Sequence, residues 1–115
     1  MRVLLVEDDG LVAMTLEDLL QDLGCEVAFS GAGVPETLRW LEAGGNADAA
    51  LLDVNLGGEP VYAVAEALAA RGVPFAFCTG YAETPDPRFR NATTLPKPLR
   101  RERLLEALRG FGLSS

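Results

Sequence analysis

Histidine is missing from this 115-residue chain. Its absence excludes a histidine-activated nucleophile, imidazole metal ligands and a phosphohistidine carrier. Cysteine is nearly missing. Cys25 and Cys78 stand alone, without C-x-x-C spacing, each in an apolar run that reads as a strand. Buried thiols in a reducing cytosol are expected rather than a disulfide. Cations are scarce, 10 Lys and Arg against 17 Asp and Glu, and the formal charge of −7 argues against a nucleic-acid surface. There is no secretory h-region and no long apolar stretch, so no membrane segment is expected and the chain reads as soluble and cytoplasmic.

What is present is an ordinary globular balance, 49% hydrophobic and 23% charged, at a length that builds one core but not two. A single domain over residues 1–115 is expected, with no repeat, linker or output domain, and the Met directly before the first strand favours a stand-alone protein.

Strand and helix signals alternate along the whole chain. Residues 2–6, with the apolar run Val3-Leu4-Leu5-Val6, show the pattern of a strand buried on both faces. Residues 11–23 then carry Leu16, Leu19, Leu20 and Leu23 at helical spacing, and Gly24 supplies a C′ stop. Residues 25–29 predict a second strand, and Pro35 opens a helix with Val34, Leu38 and Leu41 on one face. A third strand spans residues 49–53. The stretch 55–58 reads as a loop, and a helix over residues 60–71 buries Val61, Val64, Ala65 and Leu68. Residues 75–78 form a fourth strand. The crossover that follows contains Pro85 and Pro87, so a fourth helix there is expected to be short, distorted or missing. A brief fifth strand at 93–95 and a helix over 102–108 complete the pattern. Strict alternation predicts a parallel sheet between helical layers. The fold class expected is α/β, a flavodoxin-like doubly wound (βα)5 three-layer sandwich with strand order 2-1-3-4-5.

Four polar pieces close the apolar runs: Glu7-Asp8-Asp9, Asp53, Thr79 and Lys97-Pro98. Each is unspecific alone. Acid triplets are commonly solvated surface, a lone aspartate after a strand is often a turn residue, and Thr-Gly and Lys-Pro usually mean turns. At successive strand ends of one parallel sheet they converge on a single edge, where ligands bind. Carboxylates, a hydroxyl and an ammonium suit Mg²⁺ (or Mn²⁺) with a phosphoryl group. Mg²⁺ takes hard oxygen ligands and keeps several waters. Asp8 and Asp53 are expected as direct ligands, Glu7 as a ligand or water-orienting group, and the Asn55 carbonyl completes the metal set. Crowded acids repel one another, which raises at least one carboxyl pKa. Asp53 is expected as the nucleophile, with Lys97 and the Thr79 hydroxyl neutralising equatorial phosphoryl oxygens.

On these residues the chain resembles the receiver domain of two-component response regulators, over residues 2–108. The resemblance implies an acidic pair at Glu7 and Asp8, a phosphoacceptor at Asp53, a hydroxyl at Thr79 and a lysine at Lys97. Asp9 stands at a variable position outside the site. It further implies a sensor histidine kinase or histidine phosphotransfer protein as phosphoryl donor, slow autodephosphorylation, and signalling by protein contact with an unidentified target or service as a phosphate sink. Two features depart from the family's usual pattern. Thr94 occupies the place of an aromatic residue three positions before the lysine. Phe77-Cys78-Thr79-Gly80-Tyr81 is similar to the Phe-Ala-Thr-Gly motif of an atypical stand-alone receiver subfamily with an altered fourth helix. The expectation is that phosphorylation orders residues 80–92, with Tyr81 as the moving ring. By analogy, the partner face is the fourth strand, fifth strand and last helix, where Arg100, Arg101, Arg103 and Arg109 form either a solvated face or a surface for an acidic partner.

Two other readings use the same residues. A haloacid dehalogenase-like phosphatase also forms an aspartyl-phosphate, but it carries a second aspartate two residues on, where this chain has Asn55. A pseudo-receiver would be a docking module without phosphorylation, yet every residue type for the chemistry is present.

Overall fold

Five of the apolar runs line up as one parallel sheet in the computed structural model, which describes residues 1–80 and 86–114. The sheet strands are β1 (Arg2–Val6), β2 (Glu26–Gly31), β3 (Ala49–Asp53), β6 (Phe75–Thr79) and β7 (Thr93–Pro96), in the order β2-β1-β3-β6-β7. This is the doubly wound order expected, with two further strands, β4 (Asn55–Leu56) and β5 (Glu59–Pro60), outside the sheet. Those two pair antiparallel where the sequence suggested only a loop. Gly57 and Gly58 connect them with φ of 61° and 94°. Both lie in the left-handed region that a two-residue hairpin turn needs and that glycine adopts without strain.

Side chains alternate across the sheet and feed two cores. Leu4, Val6, Ala50, Leu52 and Phe77 face helices α2 (Val34–Glu42) and α3 (Tyr62–Ala70). Val3, Leu5, Leu51, Ala76 and Cys78 face α1 (Gly10–Asp22) and α4 (Arg101–Gly110). The helices follow their predicted stripes: Leu16 and Leu20 on α1, Val64, Ala65 and Leu68 on α3, Leu104 and Leu108 on α4 are all buried. Cys25 and Cys78 are free and buried, as the composition implied, although Cys25 precedes β2 rather than lying in it.

The fourth crossover departs from the others. Its described part holds a single 3-10 turn, Pro87–Phe89, with Asp86 as the cap that accepts the Arg88 N–H. Tyr81 and Pro85, which carried the expected ring movement and one expected helix break, lie outside the described residues. Among the described residues no helix is long and apolar enough to cross a membrane.

Candidate functional site

The carboxyl edge of the sheet gathers the polar residues that the sequence singled out. β1 delivers Glu7 and Asp8 one and two residues past its end, and β3 delivers Asp53 as its last residue. One carboxylate oxygen from each lies within 4.8 Å of the others, a spacing that fits a shared cation. Glu7 and Asp53 are both 4% exposed, whereas Asp8 is exposed. The hairpin β4–β5 leans on this cluster, since a Cβ on Gly57 would stand 3.4 Å from Asp8 Oδ2. Asn55 joins from the same hairpin. Its backbone N–H donates to Asp53 Oδ1 (3.3 Å), and its side-chain oxygen accepts the Gly58 N–H (2.7 Å).

Opposite the acids, Lys97 reaches in from the end of β7. Its Nζ lies 3.2 Å from Asp53 Oδ2 and 3.7 Å from Glu7 Oε2. The Lys97 N–H donates to the Thr79 carbonyl at 2.7 Å, locking the ends of β6 and β7 together, and the Lys97–Pro98 bond is cis. Thr79 sits one step beyond Cys78, the register partner of Asp53, and is half-buried. All the residues assigned to the pocket therefore share one strand edge.

Asp9 does a different job. Its side chain accepts the N–H groups of Leu11 (3.0 Å) and Val12 (3.3 Å) and caps α1. Its own N–H donates to Glu7 Oε1 (3.1 Å). The acid triplet thus divides into two pocket carboxylates and one helix cap.

Burial pushes the Glu7 carboxyl up from 4.5 to about 7, and the neighbouring Asp53 carboxylate adds to that rise. The Asp9 N–H and the Lys97 ammonium pull the other way. Desolvation of a negative group beside a second one is the cause. The Cys78 thiol, beside Asp53 in the sheet register, is pushed by burial up to about 12, which leaves it inert.

Sequence reasoning missed the apolar ledge beside the pocket. Leu11, Val12 and Met14 are exposed on the first two turns of α1, Leu11 at 78% and Met14 at 61%. A groove of about 490 Å³ runs from Leu11, Val12 and Leu19 to Pro98, Leu99 and Lys97. The signal was available: these residues are apolar yet fall off the Ala13–Leu16–Leu20 stripe that α1 buries. The four arginines noted near the last helix are all exposed along α4 and its approach, with Arg101 pairing to Asp22 of α1 at 3.4 Å.

Comparison with known proteins agrees with this geometry. The model of the response regulator receiver domain matches residues 3–109. The solution structure of SdrG from Sphingomonas melonis Fr1 is 43% identical, with a TM-score of 0.86 over 98% of this chain and 97% of that one. The BeF3-activated conformation of SdrG from Pseudomonas melonis Fr1 is 42% identical, with a TM-score of 0.79 over 97% and 96%. The signal receiver domain of a modulated diguanylate cyclase from Desulfovibrio desulfuricans G20 is 30% identical, with a TM-score of 0.80 over 95% and 90%. No curated protein matches in sequence. Receiver domains are signalling modules that bind Mg²⁺ in an acidic pocket, and the grouping of Glu7, Asp8 and Asp53 is compatible with one. Strand order, pocket and sequence match converge, and the chain belongs to the family of response regulator receiver domains.

Proposed function

We propose that residues 1–115 act as one phosphoacceptor unit of a two-component relay, with Asp53 accepting the phosphoryl group. The observation that carries this reading is Asp53 itself: buried, at the end of the central strand, 3.2 Å from the Lys97 ammonium and within 4.8 Å of two further carboxylates. Asp53 Oδ attacks phosphorus, the bond to the donor histidine nitrogen breaks, and the imidazole leaves with the electron pair. Lys97 faces the oxygen charge that builds on the phosphoryl group, and the Thr79 hydroxyl is offered from the neighbouring strand. Glu7, Asp8, Asp53 and the Asn55 carbonyl would hold Mg²⁺ (or Mn²⁺), which when bound supplies neutralising charge to a phosphoryl oxygen.

These residues hold no histidine, so on this reading the donor is a phosphohistidine outside them, that of a sensor histidine kinase or a histidine phosphotransfer protein in the cytoplasm. The apolar ledge of α1 beside Lys97 supports a protein donor, since free phosphate would need no apolar contact. The existence of a BeF3-activated conformation of SdrG supports phosphoryl chemistry, because BeF3⁻ bound to an oxygen takes the tetrahedral shape of a phosphoryl group. Asn55 stands where a phosphatase would carry its acid, so hydrolysis is slow autodephosphorylation rather than turnover. The output is a protein contact or a phosphate sink.

The test is incubation with acetyl phosphate and MgCl₂, then intact-mass measurement over time, with and without EDTA. One added phosphate that requires the metal is the expected result. Sustained hydrolysis of a generic phosphomonoester would instead favour a phosphatase, and no added phosphate would favour a docking module.

A further inference from the structure

Residues 86–89 are held against α3 on two successive rungs. Tyr62 opens that helix, and its phenol oxygen accepts the Asp86 N–H at 2.7 Å. One turn later Glu66 pairs with the Arg88 guanidinium, as residues four apart share a helix face. Between the rungs, the Tyr62 and Phe89 rings stack at 5.6 Å and 11°. Both meet the Phe77 ring edgewise, at 5.9 Å and 79° from Tyr62 and at 5.6 Å and 74° from Phe89. A segment with a single 3-10 turn has little apolar face of its own, so these contacts fix its position.

Phe77 connects this clamp to the pocket. It is fully buried in β6, two residues before Thr79, and alternate strand residues share a face. Thr79 is tied through its carbonyl to the Lys97 N–H, and only residues 80–85 separate it from Asp86. The strand end carrying the Thr79 hydroxyl is therefore held at Lys97 on one side and by the Tyr62-braced ring on the other.

We propose that Tyr62 is a positioning residue for phosphoryl transfer to Asp53, acting through the Phe77 ring and the Asp86 N–H on the strand end that carries Thr79. This rests on the phosphoacceptor reading above. A hydroxyl aimed at developing charge is effective only when it is held in place before the reaction. Loosening its support slows transfer and leaves donor binding unchanged.

The test compares Tyr62→Phe with wild type in the full chain. The substitution keeps the stacked ring and removes only the acceptor for the Asp86 N–H. In the unphosphorylated protein, Asp86 amide exchange is expected to rise about tenfold, the weight of one ordinary hydrogen bond. With acetyl phosphate and MgCl₂, the maximal rate of phosphate uptake is expected to fall about three- to tenfold, at an unchanged half-saturating donor concentration. Glu66→Gln, which loosens only the exposed rung, is expected to give a smaller fall in the same direction. Equal maximal rates in wild type and Tyr62→Phe overturn the proposal, as does a slower rate with unchanged Asp86 exchange. No phosphate on the wild type overturns the phosphoacceptor reading and this role with it, whereas equal rates with normal uptake overturn this role alone.

Discussion

One row of register partners crosses the sheet, Val6–Leu52–Phe77–Thr94, and changes character at its last member. The first three side chains are fully buried and Thr94 is exposed. The same contrast recurs in the pocket. Glu7 and Asp53 close central strands and are nearly inaccessible, whereas Lys97 follows an edge strand in which only Leu95 is buried. The acid half of the site is therefore positioned by core packing. The cation half rests on the pairing of edge strand β7 with β6, extended by the Lys97 N–H to the Thr79 carbonyl, and on the reach of a flexible side chain. Lys97 is also the only lysine in the chain, the other nine cations being arginine. Its compact ammonium reaches both Glu7 and Asp53 as a point charge, a geometry distinct from the planar fork of a guanidinium.

The sharpest break in this comparison is expected at Asp53. Asp53→Asn is expected to reduce phosphate uptake to background while the chain stays folded, since it removes a charge from a crowded acid cluster. Persistent uptake would move the acceptor elsewhere. Next, Lys97→Met is expected to slow uptake on the order of 100-fold, the weight of a lost electrostatic contact in a transition state. A smaller effect than that of Tyr62→Phe would show that the edge strand contributes little.

The row itself separates the two halves by stability. Leu52→Ala is expected to cost about 2–5 kcal/mol in urea unfolding. Thr94→Ala, two positions along the row, is expected to stay within about 0.5 kcal/mol. Comparable losses would erase the distinction between buried and edge halves.

A further comparison isolates the acid half through its pH dependence. With Glu7 at about 7 in the folded chain against 4.5 ordinarily, the folded state keeps a proton that the unfolded chain has lost between those values. The metal-free protein is therefore expected to lose stability as pH rises from about 4.5 to 7, then level off. Glu7→Gln is expected to flatten that profile, and Mg²⁺ to recover stability at pH 8, because metal binding needs the ionised carboxylates. Thermal midpoints across pH check this. A flat profile in metal-free wild type would mean that Glu7 is well solvated.

The two halves also differed in how far the sequence revealed them. Buried central strands are written as continuous apolar runs, so β1 and β3 and their terminal carboxylates were readable with their boundaries. β6 and α3 shifted by one or two residues, where local pattern cannot fix an end. The hairpin at Asn55 and Glu59 was hidden because two glycines read as a loop whether or not their flanks pair. Asp9 shows the limit of composition, since three adjacent acids share a chemistry but one caps a helix. The Tyr62–Phe77–Phe89 cluster left no trace in the sequence, because its members are 12 or more residues apart and meet only through the tertiary fold. The Leu11 ledge left a trace that helical periodicity alone did not interpret.

The central claim is that the chemistry of this chain is carried by Asp53. Borohydride reduces an acyl phosphate on aspartate to homoserine, which fragmentation mass spectrometry assigns to a single residue. After acetyl phosphate and MgCl₂, homoserine is expected at position 53 and nowhere else, and not at all in Asp53→Asn. Homoserine at another carboxylate, or none in a wild-type chain that has gained phosphate mass, would contradict it.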